Sequence, residues 1–251
     1  MQDLVYECRV KQIEAVAITD HDAMELSEEE MLLLSAAGVS LIYGCEMTAN
    51  CGAHIIGLFI SKPVAAVRAE LIADHILDQG GLVYIPHPFK EESGLLNLWP
   101  PRSETAKYLL RSATFMELHN AGWRTNSYLA EIKSLASEYS VTLVAGSDSH
   151  RPWQVGKFVN EFVLPGTDLK PDMFGRAQVR LMRAEGSSPL DEQSRGRWDG
   201  LIKKIQARRL YQEAVKRIPR RLKRGAKEFI YNQRLRTYRQ RKPSFTYKLI
   251  G

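Results

Sequence analysis

Three times within the first 150 residues a short apolar run stops abruptly at a histidine or an aspartate. Residues 15–18 (AVAI) give way to Thr19-Asp20-His21-Asp22, residues 82–85 (LVYI) to Pro86-His87-Pro88, and residues 141–145 (VTLVA) to Gly146-Ser147-Asp148-Ser149-His150. Short apolar runs bounded by turn-forming residues read as buried strands, so each strand delivers a group able to ligate a metal. Stretches of helical spacing separate them. Alternating strands and helices favour βα units around a parallel sheet, and such folds build their sites just beyond the strand ends. A closed ring brings widely separated strand ends to one mouth, whereas an open sheet converges mainly where its strand order reverses. The expectation is therefore an α/β barrel.

The remaining elements follow from local signals. Residues 1–12 and 27–37 read as helices, the second with Ser27 as N-cap, Glu28 to Glu30 at the positive end of the helix dipole and Gly38 closing it. Strand 39–43 empties into Gly44-Cys45-Glu46, and strand 54–59 carries His54 at its entrance. Further helices are expected over 64–79, 102–110, 127–139 and 170–184, and further strands over 114–118, ending in His119-Asn120, and 158–164. Pro88, Gly94 and Pro100-Pro101 mark an irregular excursion after His87.

Asp148 and His150 end an apolar strand two residues apart and are good metal ligands, as is His21; the plain alternative is a polar turn with a capping aspartate. Asp20 and Asp22 read better as caps, or as acceptors for the second N–H of a ligating imidazole. His87, between prolines, is a rigid turn that could equally fix a ligand, and His54 could be a strand-end histidine bonded to backbone. His119 and Asn120 suit substrate contact or support of the ligands, and His75 lies in an amphipathic helix. Lys90, Arg124 and Arg151 follow liganding strand ends and could face a phosphate, or be solvated loop charges. Imidazoles mixed with carboxylates suit Zn²⁺, Mn²⁺ or Fe²⁺ rather than Mg²⁺ alone.

These segments, with Gly44-Cys45-Glu46, His54-Ile55-Ile56-Gly57-Leu58 and Glu117-Leu118-His119-Asn120, resemble in order and spacing the motifs of the PHP (polymerase and histidinol phosphatase) superfamily from about residue 1 to 165. The resemblance implies a distorted (β/α)7 TIM-like barrel that binds two or three Mn, Zn or Fe ions and hydrolyses phosphoesters. It puts His21, Glu46, His54, His87, Asp148 and His150 on ligand positions, with Glu46 as the bridge between ions and Glu46, Asp148 and His150 in catalytic positions. Clustered divalent cations neutralise the anionic oxygens of an ester and lower the pKa of bound water. The family's opening strand, with its Asp-x-His-x-His-Thr signature, has no counterpart, so the barrel is expected to lack that strand and up to three ligands. A catalytically inert, PHP-like scaffold is the competing reading.

Charge divides the chain. Residues 195–251 hold 19 Lys/Arg against 3 Asp/Glu, and the preceding residues 16 against 26, so an acidic body precedes a basic end. Residues 1–184 are expected to form the barrel domain, 185–197, with Gly186-Ser187-Ser188-Pro189, a linker, and 198–251 a basic amphipathic helical extension bent near Pro219. That extension could bind nucleic acid phosphates, with Tyr231, Tyr238, Phe245 and Tyr247 for stacking, could lie on an anionic membrane surface or a partner, or could be a solvated helix docked on the acidic body. The substrate expected is a phosphorylated small molecule or an oligonucleotide. Cys8, Cys45 and Cys51 form no CxxC pair and leave an odd count, which suits reduced thiols. With no apolar run of membrane-spanning length and no signal-peptide pattern, a cytoplasmic protein is expected.

Overall fold

The capping box foreseen at Ser27 forms in full. Its hydroxyl accepts from the Glu30 backbone N–H, and the Glu30 carboxylate accepts from the Ser27 N–H at 3.1 Å. The computed structural model describes residues 1–183 except 65–66, 124–125, 152–153, 167–168 and 175–176, together with 246–250. Its helices are α1 (Gln2–Val10), α2 (Glu28–Ala36), α3 (Ala69–Asp78), α4 (Leu95–Leu98), α5 (Glu104–Ser112), α6 (Leu129–Tyr139) and α7 (Pro171–Phe174). The strands are β1 (Ala15–Ile18), β2 (Ser40–Thr48), β3 (His54–Leu58), β4 (Leu82–Ile85), β5 (Ala113–Asn120), β6 (Thr142–Gly146), β7 (Phe158–Val163), β8 (Gln178–Arg183) and β9 (Thr246–Ile250).

The strands make one curled sheet in the order β6-β5-β4-β3-β2-β1-β9-β7-β8. It is mixed, which corrects the all-parallel (β/α)7 expectation: β3 runs antiparallel to both β2 and β4, and β7 antiparallel to β8 and β9. The reason lies in connection length. Only residues 49–53 join β2 to β3, and a parallel pair needs a crossover of about a dozen residues or more. At its far edge the sheet curls until β6 lies beside β7 and β8. Across that seam the buried Asn160 side chain stands in for a strand: its Oδ1 accepts from Ala145 N and its Nδ2 donates to Ala145 O, both at 2.8 Å.

Three apolar layers hold the sheet. One face of β4 and β5 (Val83, Ile85, Met116) packs with Ile72 and Ile76 of α3, Leu109 and Leu110 of α5 and Ile132 of α6. Near the chain start Cys8, Ile13, Val16, Leu34 and Val39 bury α1 and α2. The opposite, inner face of the curl is filled by Ala15, Ala17, Ile42, Ile56, Tyr84, Phe115, Val144, Phe162 and Phe174. Alternation along each strand explains the split, since neighbouring side chains leave opposite faces. At about 1.5–3 kcal/mol per fully buried large side chain, these layers fix the strand ends rigidly.

Two further expectations need correction. The helix foreseen over 170–184 is the single turn α7 followed by β8, because Val179 and Leu181 alternate with Gln178 and Arg180 at the period of a strand, which pairs along β7. The basic extension was expected to stay helical to 251, yet its residues Thr246–Ile250 form β9, between β1 and β7. The linker and the rest of the extension, 184–245, lie outside the described residues.

Candidate metal centre

The antiparallel turn of β3 decides where the site forms. His21 follows the C-terminal end of β1, His87 that of β4, and Asp148 and His150 that of β6, while Glu46 lies in the last third of β2. His54 opens β3 and would sit at the opposite rim of an all-parallel sheet. Running backwards, β3 pairs His54 with Thr48 and Ile56 with Glu46, which returns the imidazole to the rim of the others. His21 is locked beside Glu46 by a parallel bridge in which Glu46 N donates to Asp20 O (3.1 Å) and Asp22 N to Glu46 O (3.0 Å).

Glu46 is the centre of the cluster. Its carboxylate, in a residue only 8% exposed, has Oε1 2.8 Å from His54 Nδ1 and 3.1 Å from His87 Nε2, and Oε2 3.8 Å from His21 Nε2. Ligand-type atoms of His21, Glu46 and His54 all lie within 4.8 Å of one another, which makes them the one such group among the described residues. The rings continue outward: His21 is 5.0 Å from His54 and 6.3 Å from His150, and His54 is 5.4 Å from His87, centroid to centroid. Asp148 Oδ1 stands 3.6 Å from His150 Nδ1, and Asp148 Oδ2 3.8 Å from the Lys90 ammonium. His150 and His21 are the open side of the cluster and His87 its buried floor.

Burial by itself would raise the Glu46 carboxyl, but hydrogen bonds with His54 and His87, reinforced by their charge, hold it well below its ordinary range, so it is anionic. Burial has the upper hand at Cys45, pushed up to about 11 with Asp22 adding to the effect, so the thiol beside the site stays protonated. At the site, Asp22 (φ 52°), His87 (φ 26°) and Asp148 (φ 45°) are held in the left-handed region. Such conformations are uncommon outside glycine and persist where the surroundings enforce them.

The sequence reading gave no role to the acid that braces the His87 turn. Glu117 on β5, 3% exposed, points to the inner face. It accepts from the Tyr84 hydroxyl at 2.6 Å, the His87 backbone N–H at 2.7 Å and Asn120 Nδ2 at 2.8 Å. Asn120 Oδ1 in turn accepts from the backbone of Gly122 and Trp123, both at 2.7 Å. One buried acid thus ties down both the His87 turn and the loop beside Asp148. Burial, its largest influence, raises its pKa despite these donors, and burial with the Glu117 charge raises that of Tyr84. A charged residue inside the apolar run 114–118 was the available signal, because lone acids are rarely buried without a purpose.

The other sequence candidates are placed as follows. Asp22 caps rather than supporting an imidazole, its Oδ1 accepting from Thr48 N at 2.7 Å. His119 stacks on Phe158 (5.7 Å, 13°) outside the Glu46 cluster, and burial, then Lys133, lowers its pKa. His75 is remote, its Nε2 3.3 Å from Lys62 O. Arg124 lies outside the described residues.

Fold and cluster together define a mixed-sheet α/β half-barrel with a histidine-rich carboxylate site at one rim. Residues 127–174 match the model of the PHP-associated family. The chain is 27% identical over 196 residues to the uncharacterized protein MJ0417 of Methanocaldococcus jannaschii, covering 72% of this chain and 79% of that protein. Among solved structures it shares its fold with PsfC from Pseudomonas syringae (TM-score 0.55, 17% identity, 80% of this chain and 89% of that one). It also shares it with the lesion-specific endonuclease EndoQ from Pyrococcus furiosus (TM-score 0.54, 15% identity), matching 72% of this chain and about half, 52%, of the endonuclease.

Proposed function

We propose that the protein is a metal-dependent phosphoesterase holding two or three divalent Mn, Zn or Fe ions among His21, Glu46, His54, His87, Asp148 and His150. The observation that carries this reading is the disposition of Glu46: a buried, anionic carboxylate with one oxygen toward His54 and His87 and the other toward His21. A carboxylate so flanked suits a bridge between ions. The donor set of imidazoles with carboxylates fits borderline cations such as Zn²⁺ and Fe²⁺ and also Mn²⁺, and the buried His87 Nδ1, without a hydrogen-bond partner among the described residues, is a further uncommitted nitrogen at the floor.

When bound, the ions would offset the anionic oxygens of the ester and acidify water. The chain's own part is positional. Lys90, 36% exposed and 3.8 Å from Asp148 Oδ2, is placed to take a phosphoryl oxygen and orient the ester over the cluster. Glu117 holds the His87 turn still, and the apolar wall behind Glu46 keeps bulk water to the open side of His21 and His150. EndoQ is a lesion-specific endonuclease; that likeness and the basic residues of 195–251 favour an oligonucleotide phosphodiester over a small phosphomonoester.

The test is hydrolysis of bis(p-nitrophenyl) phosphate and of a short DNA oligonucleotide with added Mn²⁺. Activity abolished by chelator, and reduced at least about 100-fold by Glu46→Gln, is the expected result, since even groups that only support metal ligands cost about 10–100-fold when removed. Hydrolysis indifferent to chelator and to Glu46→Gln, or no hydrolysis with any of Mn²⁺, Zn²⁺ or Fe²⁺, would overturn it and favour the inert scaffold.

A further inference from the structure

Beside Asp148 lies a cavity of about 280 Å³, lined by His119, Asn120, Ala121, Trp123, Asn126 and Phe158. This approaches the lower end of small-ligand sites, about 300–1,000 Å³, room for one ring system and little more. Its walls are flat. His119 and Phe158 stack on each other (5.7 Å, 13°) and offer their outer faces and edges to the cavity, and the Trp123 indole stacks on Tyr128 (5.7 Å, 22°), which stacks on Phe89 (4.6 Å, 3°). Asn126 sets an amide at an exposed edge.

The cavity adjoins the proposed phosphate position. Its Asn120 fixes Gly122 and Trp123, and Gly122 backs directly onto Asp148, since a Cβ there would stand 2.7 Å from Asp148 Oδ2. Asp148 Oδ2 therefore has the Lys90 ammonium at 3.8 Å and also the rim of the cavity as a neighbour.

We infer that this cavity is a nucleobase subsite, which takes the ring of a nucleotide whose phosphate lies over the Glu46–Asp148 cluster. The inference rests on the phosphoesterase reading for the position of the phosphate, but the ring contacts stand on the cavity alone. Aromatic side chains bind bases through their π faces with little regard to sequence, and a side-chain amide at the rim matches the donor and acceptor edges of a base. A phosphosugar without a base would leave the ring walls unused.

The test titrates the whole protein with 2′-deoxyadenosine 5′-monophosphate, 2-deoxyribose 5-phosphate and deoxyadenosine, once with Mn²⁺ and once with chelator. The nucleotide is expected to bind at least about fivefold more tightly than the phosphosugar, the low end of what stacking of one base contributes. Phe158→Leu and, separately, Trp123→Leu should each shrink that ratio toward one. Equal affinities for nucleotide and phosphosugar in the unaltered protein would overturn the subsite. Deoxyadenosine separates the two readings, because its binding should persist in chelator and weaken in Phe158→Leu even if the protein takes up no ions. Deoxyadenosine binding unaffected by both substitutions would also overturn it.

Discussion

The Glu117 carboxylate occupies the space that a side chain at Gly146 would need: a Cβ added at Gly146 would overlap Glu117 Oε1. The last residue of β6 is small so that an acid from β5 can reach across to Tyr84 and the His87 N–H. Gly146→Ala is therefore expected to lower stability by about 1–3 kcal/mol, the usual cost of overpacking a well-filled interior, and to weaken Mn²⁺ binding as the His87 turn shifts. Urea denaturation and Mn²⁺ titration check both effects. An unchanged midpoint with unchanged affinity would show that Glu117 has room to move.

The seam between β6 and β7 makes a separate demand. Asn160→Leu keeps the volume but leaves the Ala145 N–H and C=O without the amide that now pairs with them. Each buried, unsatisfied group costs about 1–3 kcal/mol, so a loss of at least about 2 kcal/mol is expected in chemical denaturation. A loss well below about 1 kcal/mol would mean that other partners take over.

Much of this was legible beforehand, and the failures share a cause. Local signals named Ser27, Gly38 and the strand ends at His21, His87 and Asp148 because capping, turns and apolar runs are written over a few adjacent residues. Strand direction is set by the length of connections and by which edges meet. The strand expected over 39–43 runs on to Thr48, and ending it at residue 43 hid the five-residue link at 49–53 and with it the reversal that brings His54 to the rim. Asn160, Tyr84 and Glu117 were missed as working residues because the contacts Asn160–Ala145, Tyr84–Glu117 and Glu117–His87 span 15 to 33 positions. A polar residue in an apolar strand signals that a partner exists without naming it.

Acid should act on the ion-free protein through Glu46. Despite burial, its hydrogen bonds to His54 and His87 hold its carboxyl below the ordinary 4.5. A carboxylate held low in the folded state adds stability above its unfolded pKa and surrenders it as the pH falls. Glu117, raised by burial, has the opposite sense, its stabilisation being present below 4.5 and lost as the pH climbs through its raised value. The informative comparison is thus between variants. Urea midpoints are expected to fall below pH 4.5 more steeply for the native sequence than for Glu46→Gln, and parallel curves would contradict the assignment.

Ser27→Ala isolates local stability from the site. Loss of the hydroxyl that accepts from Glu30 N should cost about 1 kcal/mol, with Mn²⁺ affinity unchanged. A thermal melt beside a binding titration tests the separation; a joint loss would mean that α2 braces the site.

The central claim is that the Glu46 cluster grips divalent cations, and elemental analysis after Mn²⁺ or Zn²⁺ loading and gel filtration tests it most directly. The account expects about two or more equivalents in the native sequence, fewer in His54→Ala and Asp148→Ala, and the greatest loss in Glu46→Gln, all with native circular dichroism. A folded native protein that retains no ion, or a Glu46→Gln variant that retains the full complement, would contradict it.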